Sequence, residues 1–155
     1  MISLNLPPAE IKTRQTGGAT YVFDFLRRRY VRLTPEEWVR QQFTHFLVEH
    51  KGYPPQLMAN EVGIRLNGVM RRCDSVLYDR HGGRPRAVME YKAPTVALTQ
   101  EVFNQICSYN SLLRADYLFV SNGLMHVCCR MLYAEASYVF LRGVPAFVEL
   151  AQAVP

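Results

Sequence analysis

The spacing of apolar residues predicts two helices. From Thr34 to His50, apolar positions recur every three or four residues, and the segment opens with an N-cap threonine followed by proline. Gly52 ends this helix. A second helix is predicted from Thr99, its N-cap, to about Arg114, with apolar residues along one side.

Shorter apolar runs bounded by turn residues predict strands. They occupy residues 57–66, 69–78, 86–91, 117–120, 126–133 and, more weakly, 138–142. The order helix, three antiparallel strands, helix, strand, strand predicts an α/β fold with a mixed central β-sheet, in which the second helix connects two parallel strands. Residues 1–33 are predicted as an N-terminal arm and lead-in segment, with 1–20 loosely packed. Residues 34–155 are predicted as one core that ends in a helical turn at 148–153.

Two predicted hairpins bring three acidic residues into register. The Asn-Gly pair at 67–68 is typical of a two-residue hairpin turn, and centring the hairpin there places Glu61 opposite Asp74. Centring the next hairpin on the loop at 79–85 places Asp74 opposite Glu90. The three carboxylates would then form a row on one face of the sheet, unless a β-bulge shifts one strand.

This row of carboxylates is the strongest indication of a functional site in the sequence. Glu90 and Lys92 are two residues apart, so they point to the same face of an otherwise apolar strand. Burying such charges is costly unless they pair or bind a metal. Carboxylates directly opposite each other repel, and hard oxygen ligands suit Mg²⁺ or Mn²⁺. The pattern predicts a divalent cation site, and the alternative is a solvated sheet face with unrelated charges.

Composition adds limits rather than detail. The 155 residues are 49% hydrophobic, as in an ordinary globular protein, and 18 basic against 13 acidic residues give a net charge of +5, which is compatible with a polyanionic partner. No apolar run has membrane-spanning length, and the N-terminus lacks a secretion-signal pattern. Four cysteines without C-x-x-C spacing are predicted to be reduced thiols. These features predict a cytoplasmic protein without membrane contact.

These residues together resemble a known nuclease superfamily. Asp74 and the run Glu90-x-Lys92, set within helix, meander, helix and strand, are similar to the PD-(D/E)XK motif and predict a restriction-endonuclease-like core. The spacing of Gln105 and Tyr109 matches the Q-x-x-x-Y motif of one branch. The helix opening at residues 34–41 resembles that of the N-terminal nuclease domain of type I restriction enzyme R subunits. Cysteine occupies position 73, where the motif's name has proline, but this position is not a ligand.

The resemblance implies hydrolysis of DNA phosphodiester bonds with Mg²⁺ or Mn²⁺. Asp74, Glu90 and the main-chain carbonyl of Tyr91 would hold the metal. Lys92 would orient the attacking water or stabilise charge on the phosphate. Glu37 would face the metal site through water; its alternative role is to tie down the helix start in a capping box.

The remaining candidates are accessory residues. Gln105 and Tyr109 share a helix face and would contact the DNA backbone or the region of Lys92, or else form a plain polar helix edge. Arg40 and the arginines at 27–29, 71 and 72 are candidate phosphate contacts. Glu61 is a site candidate through the strand register alone and otherwise a hydrogen-bonding neighbour.

The same resemblance sets expectations for partners. R subunits carry a translocase motor, whereas these 155 residues contain no G-x-x-x-x-G-K-[ST] loop. A motor or another restriction-system subunit is therefore expected as a separate partner besides DNA, and a homodimer is left open. The alternative function is a non-catalytic DNA-binding or assembly module that keeps the nuclease fold.

Overall fold

The computed structural model describes residues 2–150, excluding the side chains of Leu66, Tyr109, Ser111 and Leu112. Two helices occur in this range, α1 (Pro35–Lys51) and α2 (Gln100–Leu113). The strands, in chain order, are β1 (Thr13–Thr16), β2 (Ala19–Asp24), β3 (Arg29–Arg32), β4 (Met58–Leu66), β5 (Val69–Tyr78), β6 (Pro85–Tyr91), β7 (Tyr117–Ser121), β8 (His126–Leu132) and β9 (Ser137–Phe140). Short 3₁₀ turns lie at Pro55–Leu57, Tyr133–Glu135 and Phe147–Glu149.

Both helices begin at the predicted caps. The Thr34 hydroxyl accepts the Glu37 amide N–H at 3.1 Å, and the Thr99 hydroxyl accepts the Val102 amide N–H at 3.2 Å. Each bond satisfies one of the amide groups that a helix start leaves without a partner. Gly52 ends α1 with φ +72°, a conformation that glycine adopts at little cost.

The large sheet has the order β4-β5-β6-β7-β8-β9. Only the β6–β7 pair is parallel among its described pairings, and α2 connects those two strands. The predicted α/β class with a mixed sheet is therefore confirmed. Each face of the sheet carries its own apolar core. The α1 side is built around Val39, Phe43, Leu47, Leu77, Met89 and Phe119, and the α2 side around Val76, Val88, Phe103, Leu118 and Val120.

Both predicted hairpin registers are observed. β4 pairs with β5 through Asn60↔Ser75, and β5 pairs with β6 through Ser75↔Met89, which are the registers that centre on 67–68 and on Gly82. One irregularity lies between Leu77 and Tyr78, at the loop end of the hairpin and away from the acidic residues. The ladder therefore keeps its predicted alignment where the site forms.

The N-terminal region differs from its prediction. A loose arm was predicted for residues 1–20, but β1 and the start of β2 lie in that range, within an antiparallel sheet that β3 completes. Gly17 and Gly18 both have positive φ, +58° and +76°, so they supply the tight hairpin turn between β1 and β2. The boundary between 33 and 34 stays a prediction. Of the predicted turn at 148–153, residues 151–155 lie outside the described range.

Candidate metal centre

Asp74 and Glu90 meet on the face of the sheet that α2 covers. They continue the sides of β5 and β6 that carry Val76 and Val88, which belong to the core beneath α2. A side-chain hydrogen bond joins the two carboxyl groups, and the Asp74 main-chain N–H also donates to Glu90. Two carboxyl groups can share such a bond only if a proton lies between them.

The protonation of Glu90 reflects this crowding. Burial, the charge of Asp74 and the hydrogen bond to its side chain together raise the pKa of Glu90 to about 9, although the Lys92 ammonium and the Asp74 main-chain N–H offset part of the rise. Glu90 Oε1 is buried and has no hydrogen-bond partner among the described residues. A nearby cation would therefore stabilise the Asp74–Glu90 pair, and Glu90 Oε1 is available as an oxygen ligand for it.

The main chain of Tyr91 lies against this pair. Its amide N–H donates to Asp74 Oδ2 at 2.8 Å, and its phenol O–H donates to Ser75 Oγ at 3.0 Å on the other side of the sheet. Ser75 in turn donates to the buried Asn60 at 2.6 Å. The tyrosine ring is thus fixed on the α1 side, which keeps Glu90 on the opposite side.

Lys92 follows the last residue of β6. Its amide N–H donates to the Ser121 carbonyl at 2.9 Å, which extends the pairing of β6 with β7 by one residue. The ammonium acts on the Glu90 carboxyl, since it lowers the pKa of that group. None of the ion pairs formed among residues 2–150 includes Lys92. The half-buried Lys92 ammonium thus lies beside the Asp74–Glu90 pair and forms no ion pair among the described residues.

Arg40 is used inside the protein rather than at its surface. The residue is 6% exposed, and its Nη1 donates to the Asp74 carbonyl at 3.0 Å while Nη2 donates to Glu61 Oε1 at 2.6 Å. Nη2 also lies 3.5 Å from Glu37 Oε2. This placement differs from the predicted phosphate contact, because the guanidinium is enclosed by α1, β4 and β5. Arg40 instead braces the main chain at Asp74.

Glu61 does not join the carboxylate pair. It has φ +56° inside β4, and its carboxylate is paired with Arg40 and, at 3.4 Å, with Arg72. Positive φ is rare for a residue with a side chain, and it turns Glu61 out of the regular strand alternation. Within the described part of the chain no three His, Cys, Asp or Glu side chains are grouped to hold a metal. The predicted row of three is therefore reduced to Asp74 and Glu90.

Glu37 belongs to the same charged network. Its Oε1 accepts from Arg27 Nη2 at 2.7 Å and from Gln41 Nε2 at 2.9 Å. Arg27 also pairs with the fully buried Asp24, so this arginine too is held within the fold and is not the free phosphate contact that was predicted. Glu37 thus supports Arg40 and links α1 to β2, instead of capping the helix with its side chain.

A cavity opens beside Glu90. It has a volume of about 570 Å³ and lies between β5, β6 and α2. Its lining comprises Met70, Arg71, Arg72, Glu90, Gln105, Ile106 and Ser108. Gln105 therefore shares the cavity with Glu90, while the side chain of Tyr109 lies outside the described residues. Two exposed arginines next to a carboxylate suit an anionic ligand that a cation holds in place.

Replacing Glu90 by glutamine is expected to stabilise the metal-free protein at neutral and alkaline pH. A pKa raised above its unfolded value favours folding below that unfolded value, and the benefit is lost as pH rises towards about 9. Glutamine cannot ionise, so Glu90→Gln should gain about 1–2 kcal/mol at pH 8, a Tm rise of roughly 2–8 °C, and much less at pH 4. Thermal unfolding in EDTA at both pH values measures the difference.

The matched control is Glu135→Gln, which removes an exposed carboxylate in the 3₁₀ turn between β8 and β9. It should leave Tm nearly unchanged at either pH. Equal shifts in both variants, or a Glu90→Gln variant less stable than wild type at pH 8, would contradict the crowding of Asp74 and Glu90.

None of the helices within residues 2–150 has the length and apolar character needed to span a membrane.

The family model described as type I restriction enzyme R protein N terminus (HSDR_N) matches residues 35–145. This range runs from α1 to beyond β9 and includes Asp74, Glu90 and Lys92, whereas β1, β2 and β3 precede it. No curated protein matches the chain. Because the match covers more than half of its residues, the chain belongs to the family of type I restriction enzyme R protein N termini.

Proposed function

We propose that this chain is a metal-dependent nuclease domain of the PD-(D/E)XK type that hydrolyses DNA phosphodiester bonds. The observation that carries the proposal is the Asp74–Glu90 carboxyl pair, in which the Glu90 pKa is raised and which lies next to the Lys92 ammonium. Membership of a restriction-enzyme family supports a nuclease-like role. Perturbed pKa values beside a cavity are typical of functional sites.

The residues present fit Mg²⁺ or Mn²⁺. Asp74 and Glu90 offer carboxylate oxygens, and one of these is buried without a hydrogen-bond partner among residues 2–150. The Tyr91 carbonyl is the proposed third ligand because the Tyr91 main chain contacts Asp74. Such hard oxygen donors are those that these cations prefer. When bound, the cation lowers the pKa of water and offsets negative charge on the phosphate.

The chain's own residues supply the remaining parts. Lys92, whose main chain is fixed by its bond to Ser121, would stabilise the charge that grows on the phosphate oxygens. Arg71 and Arg72 line the adjacent cavity and would bind neighbouring phosphates, with Gln105 as a hydrogen-bonding contact. These groups position the DNA so that its scissile bond lies over the carboxylate pair.

Arg40 and Glu37 act on the site through Asp74 and would not contact the metal or the DNA in this proposal. Arg40 holds the Asp74 carbonyl, and Glu37 and Glu61 fix the Arg40 guanidinium from two sides. All three are positioning residues, because the Arg40 guanidinium forms ion pairs with the Glu37 and Glu61 carboxylates. Their task is to keep the Asp74 carboxylate at a fixed distance from β6.

A divalent cation is expected to raise the stability of the folded protein. Free Mg²⁺ or Mn²⁺ at about ten times its Kd should add about 1.4 kcal/mol, a Tm rise of roughly 3–6 °C, because it binds the native state alone. Asp74→Asn should abolish this rise. Asp116→Asn is the control, since Asp116 lies in a surface pair with Arg84 at 2.9 Å and should keep the full effect. A rise that persists in Asp74→Asn would place the cation elsewhere.

The second candidate function is a non-catalytic DNA-binding or assembly module. It is favoured by the capture of Glu61 in ion pairs, which leaves two converging carboxylates instead of three among the described residues. In that case Arg71, Arg72 and Lys92 would serve as phosphate contacts only. Another restriction-system subunit is a proposed partner under either function.

Cleavage of supercoiled, linear and single-stranded DNA separates the two functions. Each form is incubated with Mg²⁺, with Mn²⁺ and with EDTA, and binding is measured in parallel. The nuclease function predicts cutting of at least one form with metal and none in EDTA. Binding without cutting, for every form and either cation, would leave the binding module as the function.

A further inference from the structure

The N-terminal sheet presents basic and aromatic side chains on one face. In its register Arg14 pairs with Tyr21, and Tyr21 pairs with Arg32, so these three form one row across β1, β2 and β3. Phe23 pairs with Tyr30 in the next row. Because residues two apart point to the same side, both rows lie on the same face. The main-chain N–H of Phe23 donates to the Lys12 carbonyl, so Lys12 lies beside this second row.

The opposite face of this sheet is turned towards the core. Val22 and Asp24 are fully buried, and Asn60 of the large sheet donates to Asp24 at 2.9 Å. The first face is therefore the outer one. We call it the outer basic face, and it consists of Lys12, Arg14, Tyr21, Phe23, Tyr30 and Arg32. Its three aromatic rings are half-buried and belong to neither apolar core of the large sheet.

The side chains of the outer basic face are arranged in advance of any ligand. The Arg14 guanidinium lies 4.2 Å from the centroid of the Tyr30 ring, and the Phe23 and Tyr30 rings pack edge to face at 5.3 Å. Lys12, Arg14 and Arg32 are exposed. No ion pair within residues 2–150 takes up these three cations.

The charge of this region is one-sided. Residues 1–33 contain six basic and two acidic residues. One of the two acids is Asp24, which is buried and paired with Arg27, so it does not offset the outer cations. A surface of this kind attracts a polyanion.

We propose that the outer basic face binds single-stranded DNA. Cations that follow a backbone, combined with aromatic rings on which bases stack, are the requirements for binding an unpaired strand, whereas the bases of a duplex are already stacked and would leave the rings unused. The face lies in β1, β2 and β3, outside the range that the family model matches, and it is separate from the cavity at Glu90. The choice of DNA over RNA rests on the proposed nuclease function; the choice of an unpaired strand does not.

Removal of two cations tests the electrostatic part. Binding of a fluorescent single-stranded oligothymidylate is measured in EDTA, which stops metal-dependent cutting, over a series of salt concentrations. The double variant Arg14→Gln with Arg32→Gln should bind about tenfold more weakly, and the slope of log affinity against log salt should fall by about 1.4. The control double variant Arg80→Gln with Arg142→Gln removes the same charge from exposed positions elsewhere and should bind within about twofold of wild type. Equal losses in both would overturn the proposal.

Removal of the bases tests the stacking part. Wild type should bind an abasic oligonucleotide of the same length about tenfold more weakly than oligothymidylate, and Tyr21→Leu should weaken binding of oligothymidylate alone. A duplex bound as tightly as the single strand, or an abasic strand bound as tightly as oligothymidylate, would overturn the single-strand assignment. The abasic comparison uses wild type, so it does not depend on how the variants fold. Absence of cleavage with metal would count against the nuclease function and leave these binding results unaffected.

Discussion

Lys92→Ala is expected to slow DNA cleavage by a factor of about 10²–10³ while DNA affinity stays within a few-fold of wild type. The ammonium stands beside the Glu90 carboxyl and takes part in no ion pair among the described residues. A group that interacts more strongly with the transition state than with bound DNA changes the rate and not the affinity. Single-turnover cleavage with saturating protein measures the rate, and titration in EDTA measures the affinity.

Lys51→Ala is the matched control for this substitution. Lys51 lies at the end of α1, where its ammonium is 5.6 Å from the centroid of the Phe46 ring, away from the carboxyl pair. Cleavage by this variant should equal that of wild type. If Lys92→Ala instead lowers affinity and cutting together, with a salt slope reduced by about one unit, Lys92 is a phosphate contact and not a catalytic group.

Arg40→Met is expected to cost about 3–5 kcal/mol of folding free energy, the largest stability effect anticipated for a single residue of the site. The guanidinium is buried and satisfies Glu37, Glu61 and the Asp74 carbonyl together. Its removal would take the side-chain donor from the Asp74 carbonyl and the closest cation from Glu61, while methionine fills much of the volume. Urea-induced unfolding gives the difference in free energy.

Arg72→Gln controls for the loss of one positive charge next to Glu61. Its side chain is 73% exposed and lies 3.4 Å from the same carboxylate, so its contribution should be within about 0.5 kcal/mol of zero. Similar costs for the Arg40 and Arg72 variants would mean that the charged network does not brace the strand at Asp74.

The parts of this fold that local signals determine could be predicted from the sequence. A threonine cap starts each helix, and the Asn-Gly turn at 67–68 sets the register of β4 against β5, with Asn60 opposite Ser75 and Val62 opposite Cys73. The loop around Gly82 does the same for Asp74 and Glu90. Turn chemistry and side-chain alternation act over a few residues, so a single chain is enough to show them.

The charged residues that hold Asp74 in place could not be predicted in this way. Arg40 reaches Asp74 across 34 positions of sequence, and whether an arginine faces solvent or a carboxylate depends on packing that no local pattern encodes. The positive φ of Glu61 belongs to the same arrangement, because a regular strand would have kept its carboxylate in the predicted row. The hairpin at Gly17 and Gly18 did have a signal, since paired glycines favour such turns, but the surrounding polar residues resembled a loose segment.

The proposed nuclease function depends on a divalent cation that Asp74 and Glu90 would hold between them. The raised Glu90 pKa, and its buried oxygen without a hydrogen-bond partner among the described residues, both favour added positive charge there. Anomalous diffraction from crystals soaked in Mn²⁺ tests this most directly, because the metal is located independently of any activity. We expect one strong anomalous peak within coordination distance of both carboxylates, and none there in crystals of Asp74→Asn. Wild-type crystals that bind Mn²⁺ only elsewhere, or that show no peak at Asp74 and Glu90 when Mn²⁺ is in excess, would contradict the metal centre and the nuclease mechanism built on it.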